Sequence, residues 1–220
     1  MAYPSEPSLL VLLGLRLRSF APADVVAETA GLPDTEVAGL LEAFGQQGLA
    51  RFRDGRMTGW MLTPEGRAEG ERVLAVELSV SATRPAVLAA YQRFLAVNQR
   101  MLDICTEWQL RDADGDGPPV VNDHADPLYD AVVIDSLATI DSVIQPVLAD
   151  LAAQLDRLAG YGPRLSSALA KVQGGDGDWF TKPTIDSYHT VWFELHENLL
   201  ASLGIERSLE RATPAKEATS

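Results

Sequence analysis

Three arginines fall within six residues: Arg51, Arg53 and Arg56. Guanidinium groups at that density suit phosphate, because each carries a fixed charge and a planar fork of donors. Contact with a nucleic-acid backbone is therefore the first chemistry the chain suggests. The three histidines, His124, His189 and His196, are the second group. His189, Trp192, Phe193 and His196 follow an i, i+3, i+4, i+7 pattern, so a helix would set both imidazoles and the aromatics on one face. With Tyr188, and with Trp108 and His124 from elsewhere in the chain, they form a candidate ligand-binding set of apolar walls and a few convergent polar groups. A protonated imidazole there would favour an anionic ligand, whose affinity would fall as pH rises through the ~6.5 reference value of histidine. The plainer reading of the same face is an amphipathic core. A metal site is not expected: an i, i+7 pair lies about 10 Å apart along a helix, and His196-Glu197 lacks the His-Glu-x-x-His spacing.

Other reactive types are less organised. Asp186, Glu194 and Glu197 could pair with His189 as acid and base, but no nucleophile elbow or Gly-rich phosphate loop accompanies them, so no catalytic residue and no cofactor is assigned. Cys105, the sole cysteine, sits in an apolar helical pattern and reads as core. Asp112, Asp114, Asp116 and Gly117 fit the first six positions of a calcium loop ending at Asp123. Pro118 and Pro119 break that pattern, and the segment reads as a solvated surface loop.

The elements that must carry these residues follow from periodicity and punctuation. Leu9–Leu17 is an apolar stretch, Ala23–Ala30 a short helix and Gly31-Leu32-Pro33-Asp34 a tight turn. Thr35–Gln46 is a third helix with Val37, Leu40, Leu41 and Phe44 inward. Gly48–Phe52 begins a strand, Asp54-Gly55 signals a hairpin, and Met57–Leu62 returns. Thr63 and Pro64 supply an N-cap and a first helical residue. That order predicts a winged helix-turn-helix with a two-stranded wing. Its third helix would enter a groove, led by Thr35, with the wing arginines on phosphate. Yet that helix offers Asp34, Glu36 and Glu42 and no Lys, Arg or Asn. Beyond it the patterns are helical: to about Leu110, then Pro127 to about Leu158 with Pro146 kinking or dividing it, then Tyr161–Val172 and Thr184–Leu203.

Bulk charge bears on the same conflict. The formal net charge is −13 and the hydrophobic content 46%, so the chain is globular in composition but repels polyanions at long range. A nucleic-acid role needs a local basic patch, and Arg16, Arg18, Arg51, Arg53, Arg56, Arg67 and Arg72 lie in the first 75 residues while the acidic excess lies mostly beyond residue 77. A single cysteine, no leader pattern and no uninterrupted apolar run of spanning length point to a cytoplasmic protein.

Residues 8–78 resemble the winged-helix domain of MarR-type bacterial transcriptional regulators, on Ala23–Ala30, Pro33–Phe44, Gly48-Leu49, the Arg51–Leu62 hairpin and Leu62-Thr63-Pro64-Glu65-Gly66-Arg67. The resemblance covers a third of the chain and implies a DNA-binding fold. Trp108-Gln109-Leu110, Asn122-Asp123-His124 and Tyr188–Glu197 are similar to a segment of actinobacterial proteins related to pyruvate phosphate dikinase, which implies a regulatory or accessory module.

The expectation is thus a mainly α protein: a winged-helix domain at 1–78, an α-helical effector or dimerisation domain at 79–211 and a disordered tail at 212–220. The expected function is a transcriptional regulator that binds double-stranded DNA through Thr35, Arg51, Arg53 and Arg56 and senses a small-molecule effector. It would pair as a homodimer through Val87–Leu102 and Val147–Leu158, with no membrane partner. The alternatives are a protein-interaction module regulating a metabolic enzyme and, third, a small helical enzyme.

Overall fold

A computed structural model describes residues 1–112 and 118–206. The expected disordered tail, and positions 113–117 of the acidic loop, lie outside the described residues. The chain is mainly helical and divides into two compact units, Ala86–Leu195 and Tyr3–Pro85 with the chain from His196.

In the unit built on Tyr3–Pro85 the order is α1 (Pro7–Arg18), α2 (Ala23–Ala30), α3 (Asp34–Gln46), β1 (Ala50–Arg53), β2 (Gly59–Leu62) and α4 (Pro64–Val80). Gly31 ends α2 in the left-handed region, at φ 66°, and its N–H reaches back to the carbonyls of α2, the conformation glycine adopts without a Cβ clash. Val11, Leu12 and Leu15 of α1, Val26 of α2, and Val37, Leu41 and Phe44 of α3 bury one shared core. Leu9 and Leu13 of α1 and Leu74 of α4 pack with Ala201, from the end of the last helix. The two strands form an antiparallel pair with Arg51 opposite Met61, Phe52 opposite Trp60 and Arg53 opposite Gly59.

The start of α4 ties hairpin to helices. Thr63 accepts from Gly66 N at 3.0 Å as the N-cap, and its hydroxyl sits 2.7 Å from the Gly48 carbonyl and 3.1 Å from that of Leu49. Gly66 is obligatory here, since a Cβ would fall 1.8 Å from Leu49 O.

The unit spanning Ala86–Leu195 holds nearly all of α5 (Arg84–Gln109), then β3 (Leu110–Arg111), β4 (Val120–Val121), α6 (Pro127–Gln154), a 3-10 turn (Asp156–Leu158), α7 (Tyr161–Gln173), α8 (Asp178–Thr181) and the first half of α9 (Tyr188–Leu203). The helix α6 runs unbroken through Pro146, with Asp126 capping Leu128 N and Tyr129 N. Two elements go beyond the periodic pattern. The β3–β4 pair has two residues a side, too short for strand alternation to register, and α8 is a single turn. The last helix starts at Tyr188 rather than Thr184, because residues 183–186 form a turn after Lys182 and the Ser187 hydroxyl lies 3.3 Å from Thr190 N as an N-terminal cap. Although no uninterrupted apolar run stands out by eye, α6 is long and apolar enough by composition to cross a membrane, with a mean hydropathy of 1.5.

Candidate functional site

The hairpin presents its arginines as its register dictates. Strand alternation sets Arg51 and Arg53 on one face of β1 and Phe52 on the other, where Phe52 meets Trp60 at 5.3 Å between ring centroids. Arg51 Nη2 lies 3.3 Å from Met61 Sδ, a weak acceptor that leaves its charge available. Residues 51–58 are all exposed, so Arg56 in the connecting turn is in water as well. Arg53 and Arg56 form no ion pair with any described residue. The contrast with neighbouring cations is physical: Arg16 is held by Glu71 at 2.7 Å, Arg72 by Glu69 at 2.7 Å and Arg18 by the Thr29 hydroxyl at 2.9 Å. The hydrogen bond from Arg72, with its charge, lowers the Glu69 carboxyl from its usual range. Arg67 at the start of α4 is likewise exposed and forms no ion pair with any described residue, so the hairpin supplies three exposed guanidinium groups outside ion pairs and α4 a fourth.

The outward side of α3 has the opposite character. Thr35, the residue expected to lead it, is exposed in the first turn, between Asp34 and Glu36. Ala38, Gly39, Glu42 and Gln46 continue the exposed face. A base edge is read by forked donors and amides, and this face offers one amide at its far end and carboxylates along its length.

The expected ligand residues separate into distinct places. Tyr188 and Trp192 are buried at 0% and 2% exposure and stack at 6.2 Å. Their polar atoms are already used: Tyr188 O–H donates to Asp141 Oδ1 at 3.1 Å, and Trp192 Nε1 donates to Asn98 Oδ1 at 2.9 Å. Burial, then the Asp141 carboxylate, pushes the Tyr188 hydroxyl well above its usual range. These are contacts of core side chains whose polar atoms have found partners. Trp108 and His124 do come together, at 4.3 Å between centroids, and Trp108 also stacks on Phe180 at 4.5 Å and 7°. His124 holds Asp130 Oδ2 at 3.0 Å and has a left-handed backbone at φ 57°. His196 is buried and falls in the other unit. An open depression of about 410 Å³ lies at the start of α4, between Leu62, Arg67 and Glu71, and none of the ligand candidates lines it.

His189 is partly buried, and burial pulls its imidazole below 6.5. Burial thus disfavours the imidazolium that an anionic ligand would need at this position. The depressed value has a sign for stability. Between the folded and unfolded values the unfolded chain binds more protons, so stability is complete above about pH 6.5 and declines as pH falls below it. Melting temperatures compared between pH 7 and pH 5.5 should therefore drop more for the wild type than for His189→Gln. Equal drops would show that this ring does not couple to folding.

Sequence reasoning missed the polar side chains that organise the helical unit. Arg164 of α7 bridges Asp186, at 2.9 and 3.1 Å, and Glu194, at 2.7 and 3.0 Å, with its guanidinium 5.5 Å from the Tyr161 ring centre. Burial alone would lower Arg164, but the two carboxylates outweigh it and raise its value, so it is permanently charged. Asp186 and Glu194, weighed above as partners of His189, are thus engaged as ligands of a guanidinium. Asn122, 5% exposed, closes the β3–β4 segment: its backbone N donates to Gln109 O at 2.9 Å, and Nδ2 reaches Trp108 O at 3.2 Å and Asp130 Oδ1 at 2.9 Å. Cys105 is buried, and burial pushes its thiol up to about 12, which removes it as a nucleophile. Among the described residues no group of three or more His, Cys, Asp or Glu could hold a metal ion.

No family model, no curated protein and no solved structure matches this chain.

Proposed function

We propose that the Tyr3–Pro85 unit is a winged helix-turn-helix of the MarR-regulator kind, and that the chain is a cytoplasmic, DNA-binding regulator whose hairpin supplies the main contact. The observation that carries this reading is the solvent-facing triad of the hairpin: Arg51 and Arg53 on one strand face and Arg56 in the turn, the last two unpaired while Arg16 and Arg72 are held by glutamates. Such an arrangement favours phosphate over base edges, so binding is weakly dependent on sequence. The helix α3 approaches the duplex without reading it closely, because Glu36 and Glu42 oppose a phosphate-lined groove.

In fluorescence anisotropy with mixed-sequence duplexes near 50 mM salt, the full chain should bind, and Arg51→Ala/Arg53→Ala/Arg56→Ala should weaken binding by about tenfold or more on every sequence. An unchanged affinity in the triple variant removes the hairpin from the reading. A second reading, a winged helix that docks a protein and regulates a metabolic enzyme, is favoured by the carboxylate face of α3. Absence of DNA affinity at low salt in the wild type would select it.

A further inference from the structure

We infer that the outer edge of β1 binds a single nucleic-acid strand, with Phe52 as the platform on which a base stacks. This rests on the phosphate-binding reading of the hairpin and adds the form of nucleic acid that fits it. Phe52 lies between Arg51 and Arg53 and is 50% exposed. The ring is left out of the shared core of its unit, yet Trp60 holds it at 5.3 Å between centroids. Its backbone is open as well. Phe52 stands opposite Trp60, and Trp60 turns its own N–H and C=O away from β1, to Ala21 O at 2.7 Å and Ala21 N at 3.1 Å. In an antiparallel pair the residue opposite then directs its groups outward along the other edge. No described residue meets the N–H or C=O of Phe52. The hairpin thus ends in an open strand edge with a free donor, an arginine on either side and an exposed aromatic ring.

Shape selects the ligand. The arginines occupy one face of β1 and the phenyl ring the other, so a ligand must turn round the strand edge to meet both. A duplex keeps its bases stacked inside and offers phosphate alone. A bilayer surface is flat and meets one face. An added peptide strand needs free groups at alternate residues, and Ala50, the next residue of β1 directed outward, is buried. A nucleotide of an unpaired strand fits. Its base stacks on Phe52, its sugar passes the edge beside the Phe52 N–H, and its phosphate reaches Arg51 or Arg53 on the far face. Aromatic platforms beside basic side chains hold unpaired strands with little preference for sequence, which matches the absence of base-reading groups on α3. The one carboxylate of the hairpin, Asp54, is turned onto Gly55 N at 2.9 Å and the Thr58 hydroxyl at 3.3 Å.

The test is fluorescence anisotropy of the full chain at low salt with three probes of about 12 nucleotides a strand: oligo-dT, oligo-U and a mixed-sequence duplex. The better single strand should bind about tenfold more tightly than the duplex, and its identity names DNA or RNA as the source. Phe52→Ala should lose about tenfold on that strand and leave the duplex affinity unchanged, while Phe52→Tyr should keep both. Should the alanine variant misfold, Phe52→Leu decides: it fills the space beside Trp60 without a flat π-face, so it should lose the single strand alike. A duplex bound as tightly as both single strands overturns the inference, as does an equal loss on all probes, or no loss, in Phe52→Ala and Phe52→Leu. In either case the hairpin reading stands if Arg51→Ala/Arg53→Ala/Arg56→Ala still weakens duplex binding. A chain that binds no nucleic acid at low salt, with or without binding to phosphatidylglycerol vesicles, overturns both.

Discussion

Gly66→Ala should unfold the Tyr3–Pro85 unit or cost it more than ~4 kcal/mol, the range reserved for exceptional substitutions. The added Cβ would lie 1.8 Å from Leu49 O and 2.7 Å from Leu49 C, both backbone atoms. Neither side can step away. Leu49 O receives Thr63 N at 3.0 Å, while Gly66 N is held by the Thr63 hydroxyl. Moving the strand entry from the helix start breaks the cap and the hairpin anchor together. Gly39→Ala provides the opposite control. Gly39 lies inside α3 with no atom within 4 Å of its would-be Cβ, so alanine should stabilise by about 0.5–1 kcal/mol through helix propensity. Chemical denaturation of both variants tests the pair, and a Gly66→Ala protein that melts with the wild type contradicts the packing described.

The second large effect belongs to Arg164→Met. The Glu194 side chain is only 10% exposed and loses both its guanidinium bonds, leaving a nearly buried carboxylate without the cation it packs against. Breaking a buried pair by removing one partner costs ~3–5 kcal/mol. The lower end, about 3 kcal/mol, is expected, because Asp186 is 45% exposed and its share of the pair is screened by water. Arg164→Met/Glu194→Gln should recover part of that loss by removing the stranded charge. If the double variant is no more stable than the single one, the damage lies in lost packing on Tyr161 rather than in the carboxylate.

What the sequence disclosed follows a physical division. Local punctuation was legible: Thr63-Pro64 opens α4, Pro127 begins α6 and Asp54-Gly55 turns the hairpin. Each acts within a few residues of its own backbone. Gly66 was visible as part of a family-like string, but its reason, the approach of Leu49 O, depends on a contact across the fold. The arginine cluster was legible as charge. That Arg16 and Arg72 would be neutralised while Arg53 and Arg56 stay free depends on Glu71 and Glu69 facing them. For Tyr188 and Trp192 the helical spacing revealed a shared face, and pattern alone does not separate a pocket wall from a core wall. The difference is made by Asp141 and Asn98, which accept from the two rings across 47 and 94 residues of chain. The open edge of β1 was hidden for the same reason, since a strand pattern betrays alternation and not which residues its neighbours leave unpaired.

The central claim is that the hairpin arginines bind the phosphates of duplex DNA, and its most direct measurement is the salt dependence of binding by the full chain. Between roughly 50 and 200 mM salt, the logarithm of affinity should fall linearly with the logarithm of salt. At ~0.9 per neutralised phosphate, three arginines give a slope of about −2.7 per protomer, and the triple alanine variant should lose most of it. A wild-type slope near zero, the same slope in the variant, or no binding at the lowest salt would contradict the account.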